Sequence, residues 1–598
     1  MIKYLIDKIK SSPEKWIFWS IAATALLLRF EYLREYSNCI HFPFAIGPDV
    51  QEYDERAREL LNGVIFPAES DIHAPLYSFF LALLYKITDF SIGSVRAVQL
   101  LLNWAACLSL AELIRRLSKS FKLASFFLFF SLFTPVLFFH QAELISESLL
   151  IPLIAAFFWL LYFAKQNSNN YFFAGIILGF TVLTHGLMTF FLAAEVGYFA
   201  IKKQWKTLLL LSAGALIIIS TTITAKSIYY KKFTPIQENS FFNLWIGNNP
   251  DADGGCYLRP EEWGKKLNKF RTESIKRNIP ENLLITENIA SFYRNSPEKL
   301  LILPLKKALL LLSPSEPIAG ADPEYLIRMT KIQRYGAGMM GAVIVLAVIG
   351  IYFAIHKKES SYIHFYLLAG ALCAGMLLTV VSGRYRHGMM PGIIILAAFG
   401  ALNLGKKVWL IIFPIIISGA LIIPVLAGTI QHNEEAASII GEAHYRKKEF
   451  DQAEKFLKIA YHNNIQPERF ANMLGSIAEE SGNYSLAEKY YNQAIIRTPE
   501  HHDGFLNMGH LYFYQFPRKR NIALNLLKEA LARKTALPSA YDMLGQDLAQ
   551  KKDFAGALKM FELALYYAPD NTLYKKKVEL CRTLAEERKK NAPESGNR

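Results

Sequence analysis

Eleven apolar stretches, most of them long enough to cross a bilayer, constrain this chain more than any other feature. In lipid no water is available to satisfy backbone N–H and C=O groups, so such stretches must be helices or strands of a closed barrel. A helix needs roughly 20 apolar residues to cross. The stretches fall near 16–33, 94–114, 122–141, 146–164, 171–184, 186–201, 208–226, 336–355, 361–382, 388–404 and 408–427. They predict an all-α, polytopic membrane bundle of about 11 spans. Two of them, 171–184 and 186–201, are short and meet at His185–Gly186, which predicts a helical hairpin turning at the membrane edge. The N-terminal lysines resemble the start of a signal peptide, but Arg29 and Glu31 follow where a small-residue cleavage site would stand. The segment therefore reads as an uncleaved anchor.

Hydrophobic residues make up 52% of the chain and charged residues 20%, a mixture that fits a membrane part joined to a soluble one. The net charge of +15 does not point to nucleic acid, because its residues sit in short linkers between spans. Arg115–Arg116–Lys119–Lys122, Lys165, Lys202–Lys203–Lys206, Lys357–Lys358 and Lys406–Lys407 all fall on one side of the bundle. The positive-inside rule makes that side cytoplasmic, with the N-terminus inside and everything after residue 428 outside. Counting the apolar run Pro75–Phe90 as a span would break this agreement, so it reads as an interfacial helix, as does Lys299–Leu312. Two long exoplasmic segments remain, 34–93 and 227–335. The five cysteines have neither metal nor disulfide spacing, so no metal site is expected from them.

From about residue 433 the apolar runs give way to a period. Ile440–Gly441, Leu474–Gly475, Met508–Gly509 and Leu544–Gly545 recur at intervals of 34, 34 and 36. Ala453, Ala487 and Ala557 follow at a fixed offset, then Ala460, Ala494 and Ala564, with Pro499 and Pro569 closing two units. This is the tetratricopeptide pattern, in which small residues let paired helices pack closely. The third unit gains two residues near Phe516–Pro517, so Ala523 and Ala530 arrive late. The domains expected are thus 1–430 in the membrane, a helical solenoid at 433–590 with a capping helix from 571, and a disordered tail at 591–598. Such a solenoid binds a protein or an extended peptide.

The exoplasmic stretch Gly47–Tyr77 is an acidic island beside the membrane. Tyr53, Ala57, Leu60 and Leu61 repeat at helical spacing, predicting an amphipathic surface helix over about 50–62. Asp49 stands at its start, where Asp is also a favoured N-cap, and both roles stay open. Glu52, Asp54 and Glu55 read as the solvated face. Glu143 and Glu147 lie four apart at the outer end of the fourth span, and on one helix they would share a face. A carboxylate at membrane depth is costly and marks a functional candidate.

The run D-x3-Y-x3-A-x5-G, formed by Asp49, Tyr53, Ala57 and Gly63, precedes His73-x-Pro75-Leu76-Tyr77. Together they resemble the first exoplasmic loop of the GT-C glycosyltransferases, in the branch of protein O-mannosyltransferases and lipid A aminoarabinose transferases. The resemblance spans roughly residues 10–430. It implies a polyprenyl-phosphate-sugar donor, Asp49 as the catalytic carboxylate, and Tyr53 at the substrate. His73 stands where many relatives carry Arg or Lys. Arg96 matches a VR pair at the second span, and Glu143 and Glu147 fall where the family carries a second acidic residue. Asn243–Pro250 resembles the GNNP segment, with Asn248 and Asn249 as sugar hydrogen-bonders and Trp245 as a stacking face, although Gly, Asn and Pro also make turns without a ligand. Arg384-Tyr385-Arg386-His387 resembles the family's RYR, whose planar donors suit phosphate. Lys306 and Lys307 are further phosphate candidates, and His185 is a weaker, structural one. The expected reaction is inverting, with no cofactor required, though a divalent ion bridging Asp49 and Glu147 stays open. An inactive scaffold acting through its repeats, or a lipid-linked glycan polymerase or ligase, are the alternatives. The membrane expected is a bacterial plasma membrane, or else the endoplasmic reticulum.

Overall fold

The computed structural model describes residues 12–67, 73–237, 240–255, 260–313, 330–405, 433–463 and 467–590. The chain divides into two compact units that part between Ile439 and Ile440. Among the described residues both are helical, with a single parallel bridge between Gly255 and Val381.

The first unit opens with α1 (Pro13–Ser37), then the amphipathic α2 (Pro48–Leu61) and α3 (Leu76–Thr88). Then come α4 (Ile92–Ser118), α5 (Phe121–Phe133), α6 (Pro135–Ala142), α7 (Glu147–Ala164), α8 (Asn170–Thr184), α9 (Met188–Ile201) and α10 (Trp205–Tyr230). The second long loop carries α11 (Ser240–Ile246), α12 (Pro260–Arg277), α13 (Glu281–Asn295) and α14 (Lys299–Leu311). It returns through α15 (Lys331–His356), α16 (Ile363–Leu378), the short α17 (Gly383–His387) and α18 (Met390–Asn403). Five of these helices are long and apolar enough to cross a membrane, and six shorter ones are also apolar. The protein is a multi-pass membrane protein. The eleventh expected span, 408–427, and the tail 591–598 lie outside the described residues.

Two expected spans are interrupted. The stretch 122–141 is two helices, because Pro135 has no N–H to donate and pushes Thr134 into an extended conformation. The stretch 361–382 is helical only to Leu378, and residues beyond it run out to the bridge at Val381. The two short helices α8 and α9 do turn at His185, but they are not a hairpin packed on itself. α8 lies mainly along α10, and α9 along α16.

Close approach of α8 to α10 depends on glycine. A Cβ at Gly175 would meet the Leu211 carbonyl oxygen at 2.1 Å, and one at Gly214 would meet the Phe172 carbonyl oxygen at 2.1 Å. Small residues are the usual means by which membrane helices bring their backbones together. Gly214→Leu is expected to destabilise the membrane unit by on the order of 3 kcal/mol, since backbone cannot yield as a side chain can. Thermal melting in detergent, compared with Gly197→Leu, where a Cβ would meet nothing within 4 Å, checks this.

The second unit takes the part of α19 (Asn433–Arg446) from Ile440 on, then α20 (Phe450–His462), α21 (Pro467–Glu480), α22 (Tyr484–Arg497), α23 (Asp503–Gln515), α24 (Arg520–Arg533), α25 (Pro538–Gln550), α26 (Phe554–Tyr567) and α27 (Thr572–Lys590). The first eight pair as four helical hairpins. The repeated glycines admit a large residue of the partner helix: a Cβ at Gly475 would stand 2.5 Å from the Tyr491 ring, and one at Gly545 2.7 Å from Phe561. The two extra residues of the third unit fall in a short 3-10 turn, Pro517–Lys519, after which Ala523 and Ala530 are fully buried like their counterparts.

Candidate active site

Gly47 begins the site. Its φ of +112° is one that L side chains rarely adopt, and it caps α2 before Pro48. Asp49 therefore does not cap the helix; it sits in the first turn, where the helix dipole favours a negative charge. Its carboxylate accepts a hydrogen bond from Nη1 of Arg384, and the same guanidinium places Nε 3.2 Å from Glu147 Oε1. Arg384 thus joins two carboxylates that lie almost a hundred residues apart in the chain. Glu147 is 1% exposed and receives a hydrogen bond from Ser146 Oγ, whereas Asp49 keeps 31% of its side chain exposed.

Two imidazoles flank the pair. His73 Nε2 lies 2.9 Å from Glu52 and 3.7 Å from Asp49, and His185 Nε2 lies 3.7 Å from Glu147. Tyr53 is buried with its ring stacked on His73 and edge-on to Tyr77, so it holds His73 in place. Burial alone would raise the Asp49 carboxyl, but Arg384 and His73 outweigh it and hold it down to about 2. Burial lowers His73, yet Asp49 and Glu52 outweigh that and leave it raised.

Several expected roles change. Glu143 and Glu147 do not share a helix face, because Glu143 is extended after α6 while Glu147 opens α7. Glu143 instead faces Arg96 at 2.5 Å and accepts from the Tyr36 hydroxyl, and Arg96 also donates to the Phe44 carbonyl. Arg96 and Glu143 therefore tie α1 and α4 to the loop before α7, away from the Arg384 pair. Glu52 is part of the site rather than only a solvated face, and Asp54 binds Arg58 and the Tyr85 hydroxyl. Arg386 is buried and donates to the carbonyls of Leu311 and Ser313, so it fastens α14 instead of pairing with Arg384 as a phosphate clamp. His387 is buried beside His140, with ring centroids 5.9 Å apart.

The GNNP-like segment is a structural joint. Asn248 Nδ2 donates to the carbonyls of Leu244 and Leu378, and its Oδ1 accepts from Tyr293 and Lys307. Asn249 bonds to the carbonyls of Trp245 and Ile246 and to the Asp251 N–H. Trp245 stacks on Phe242 and donates to Asn288 at 2.7 Å, which covers the face expected to take a sugar. Of the two lysines, Lys306 is exposed, while Lys307 is buried and reaches the Leu377 carbonyl at 3.0 Å.

Gln99 and Asn103 join Arg96 in a polar stripe on α4, at i, i+3 and i+7 through the apolar part of that helix. Gln99 Nε2 donates to the carbonyls of Gln141 and Glu143, and its Oε1 accepts from Tyr77. Pro152 inside α7 leaves the Ser148 carbonyl without its helical partner, and Asn103 Nδ2 donates to that carbonyl at 2.6 Å. Arg29, buried in α1, donates to the Leu132 carbonyl and to Gln141. Non-helical backbone at membrane depth persists only where such partners exist. Asn103→Leu is expected to cost about 1–3 kcal/mol through the unpaired carbonyl, read as a lower melting temperature.

Residues 72–225 match the family profile of dolichyl-phosphate-mannose-protein mannosyltransferases, and residues 468–501 match that of the tetratricopeptide repeat. Over those residues the membrane part is similar to that glycosyltransferase family, and the C-terminal part is similar to the tetratricopeptide repeat. The first match includes His73, Glu147 and His185 but neither Asp49 nor Arg384. No curated protein matches the chain. Among solved structures, the crystal structure of MamA protein is 17% identical, with a TM-score of 0.23, covering 26% of this chain and 85% of that one. The crystal structure of the APC/C hetero-tetramer Cut9-Hcn1 is 13% identical, with a TM-score of 0.24, covering 84% of this chain and 98% of that one.

Proposed function

We propose that the protein transfers a sugar from a polyprenyl-phosphate-sugar donor to an acceptor hydroxyl at the exoplasmic face of its membrane, with inversion at the anomeric carbon. The observation that carries this reading is the Arg384 guanidinium set between Asp49 and Glu147. The acceptor oxygen attacks the anomeric carbon as the bond from that carbon to the phosphate oxygen breaks. The electron pair leaves with the polyprenyl phosphate, whose charge Arg384 stabilises, and the acceptor proton passes to Asp49. Glu147, with His185 beside it, holds Arg384 from the far side.

The basic linkers support an N-terminus inside and a repeat module outside, where it would recruit a protein acceptor or partner. A bacterial plasma membrane is the setting we favour. Purified protein in nanodiscs, given labelled monophosphate- and diphosphate-linked sugar donors, tests the reaction. Turnover of the monophosphate donor alone is expected, and turnover of the diphosphate donor alone would replace this reading with a glycan polymerase or ligase. Protease accessibility of the repeats in sealed, oriented vesicles tests the sidedness.

A further inference from the structure

Away from the Arg384 site, α4 and α7 leave a groove of 590 Å³ between them. Leu102, Ala106 and Ser109 of α4 and Ala155 and Trp159 of α7 line it, with Arg116 at one end. Both helices are among the five of membrane-crossing length, so the groove opens onto hydrocarbon. From Leu102 to Arg116 the axis of α4 rises about 21 Å at 1.5 Å per residue. That is more than half of a hydrocarbon core about 30 Å thick. A single straight apolar chain fits such a trough lengthwise.

The end of the groove selects what the chain is attached to. The Arg116 guanidinium lies 5.3 Å over the Trp159 ring and pairs with Glu112 at 3.0 Å, while Arg115 takes the same carboxylate at 2.6 Å. One carboxylate facing two guanidiniums leaves one positive charge, and 45% of the Arg116 side chain is exposed to receive an anion. Lys119 and Lys165, at the ends of the same two helices, add to it. Tyr162 and Phe163 with Trp159 form the aromatic layer found at a membrane–water boundary. Basic pockets between membrane helices at that level hold anionic headgroups.

We propose that this groove binds one anionic phospholipid of the surrounding bilayer, its acyl chain between α4 and α7 and its phosphate on Arg116. A zwitterionic lipid would bring its own cation against Arg115 and Arg116. Nanodiscs doped with phosphatidylglycerol or with phosphatidylcholine, each brominated on its acyl chain, test the choice. Quenching from Trp159 is obtained as wild type minus Trp159→Phe. Phosphatidylglycerol is expected to quench it several-fold more than phosphatidylcholine at equal mole fraction, and Arg116→Gln to remove the preference. Equal quenching by both would reduce the groove to unselective boundary lipid and overturn the proposal. Native mass spectrometry from mixed-lipid membranes gives a second readout, independent of the tryptophan. Wild type is expected to retain one more anionic lipid than Arg116→Gln, and equal retention would count against the site.

Discussion

Arg384→Ala is expected to lower transfer from a polyprenyl-phosphate donor by on the order of 10³-fold, the scale of removing a preorganised charge-stabilising donor. Two losses combine. The leaving phosphate loses its cation, and Glu147, 1% exposed, loses the cation that lets it stay buried and ionised. The second loss also strains the fold, so melting temperature must be measured beside initial rates. Arg384→Lys separates the effects. An ammonium restores charge but cannot reach Asp49 and Glu147 at once with a planar fork. It should recover most of the stability and only part of the rate. Near wild-type turnover in Arg384→Ala would remove Arg384 from the mechanism.

Asp49→Asn is expected to reduce kcat by about 10²–10⁴-fold, the usual range for a general base, and to lower the melting temperature as well, since the amide oxygen can still accept from Arg384 but the charge pair is lost. The pH dependence sharpens this. With its carboxyl held down to about 2, Asp49 is ionised throughout any practical assay. Its pairing stabilises the fold above the unfolded-state value of about 3.9 and is lost only as pH falls towards the folded value. The acid limb of kcat/KM, which reports the free enzyme, must therefore come from another group. His73 is raised, so its charge is present at low pH and lost as pH climbs through its folded value. If that charge assists donor binding, kcat/KM falls on the alkaline side, and His73→Gln flattens that limb. A carboxyl near 2 is also a weak base. Donor phosphate that draws Arg384 from Asp49 would raise its basicity, so donor should bind before acceptor in an initial-rate analysis.

The membrane helices, the surface helix at Pro48–Leu61 and the repeat module were legible because each follows a period that burial imposes. Hydropathy could not show the break at Thr134, since one proline in an apolar run leaves the average unchanged. Spacing misled for Glu143 and Glu147, because four residues mean one face only when the helix is continuous. The RYR run could not show that Arg384 and Arg386, two apart, point to different neighbours. Trp245, Asn248 and Asn249 illustrate the same limit: residue types suited to a sugar are equally suited to closing a joint. Gln99 and Asn103 could have been found, as amides in a stripe through an apolar helix.

The division of labour between those amides and the ionic cluster has a consequence for how the protein meets changing surroundings. Gln99 and Asn103 hold the interrupted backbone with groups that carry no charge and do not titrate. Arg384, Asp49, Glu52 and His73 answer to protons and counter-ions. Shifts in acidity or ionic strength around the cluster would throttle the chemistry before they loosened those amide-held joints, so inactivation by such shifts should reverse on return.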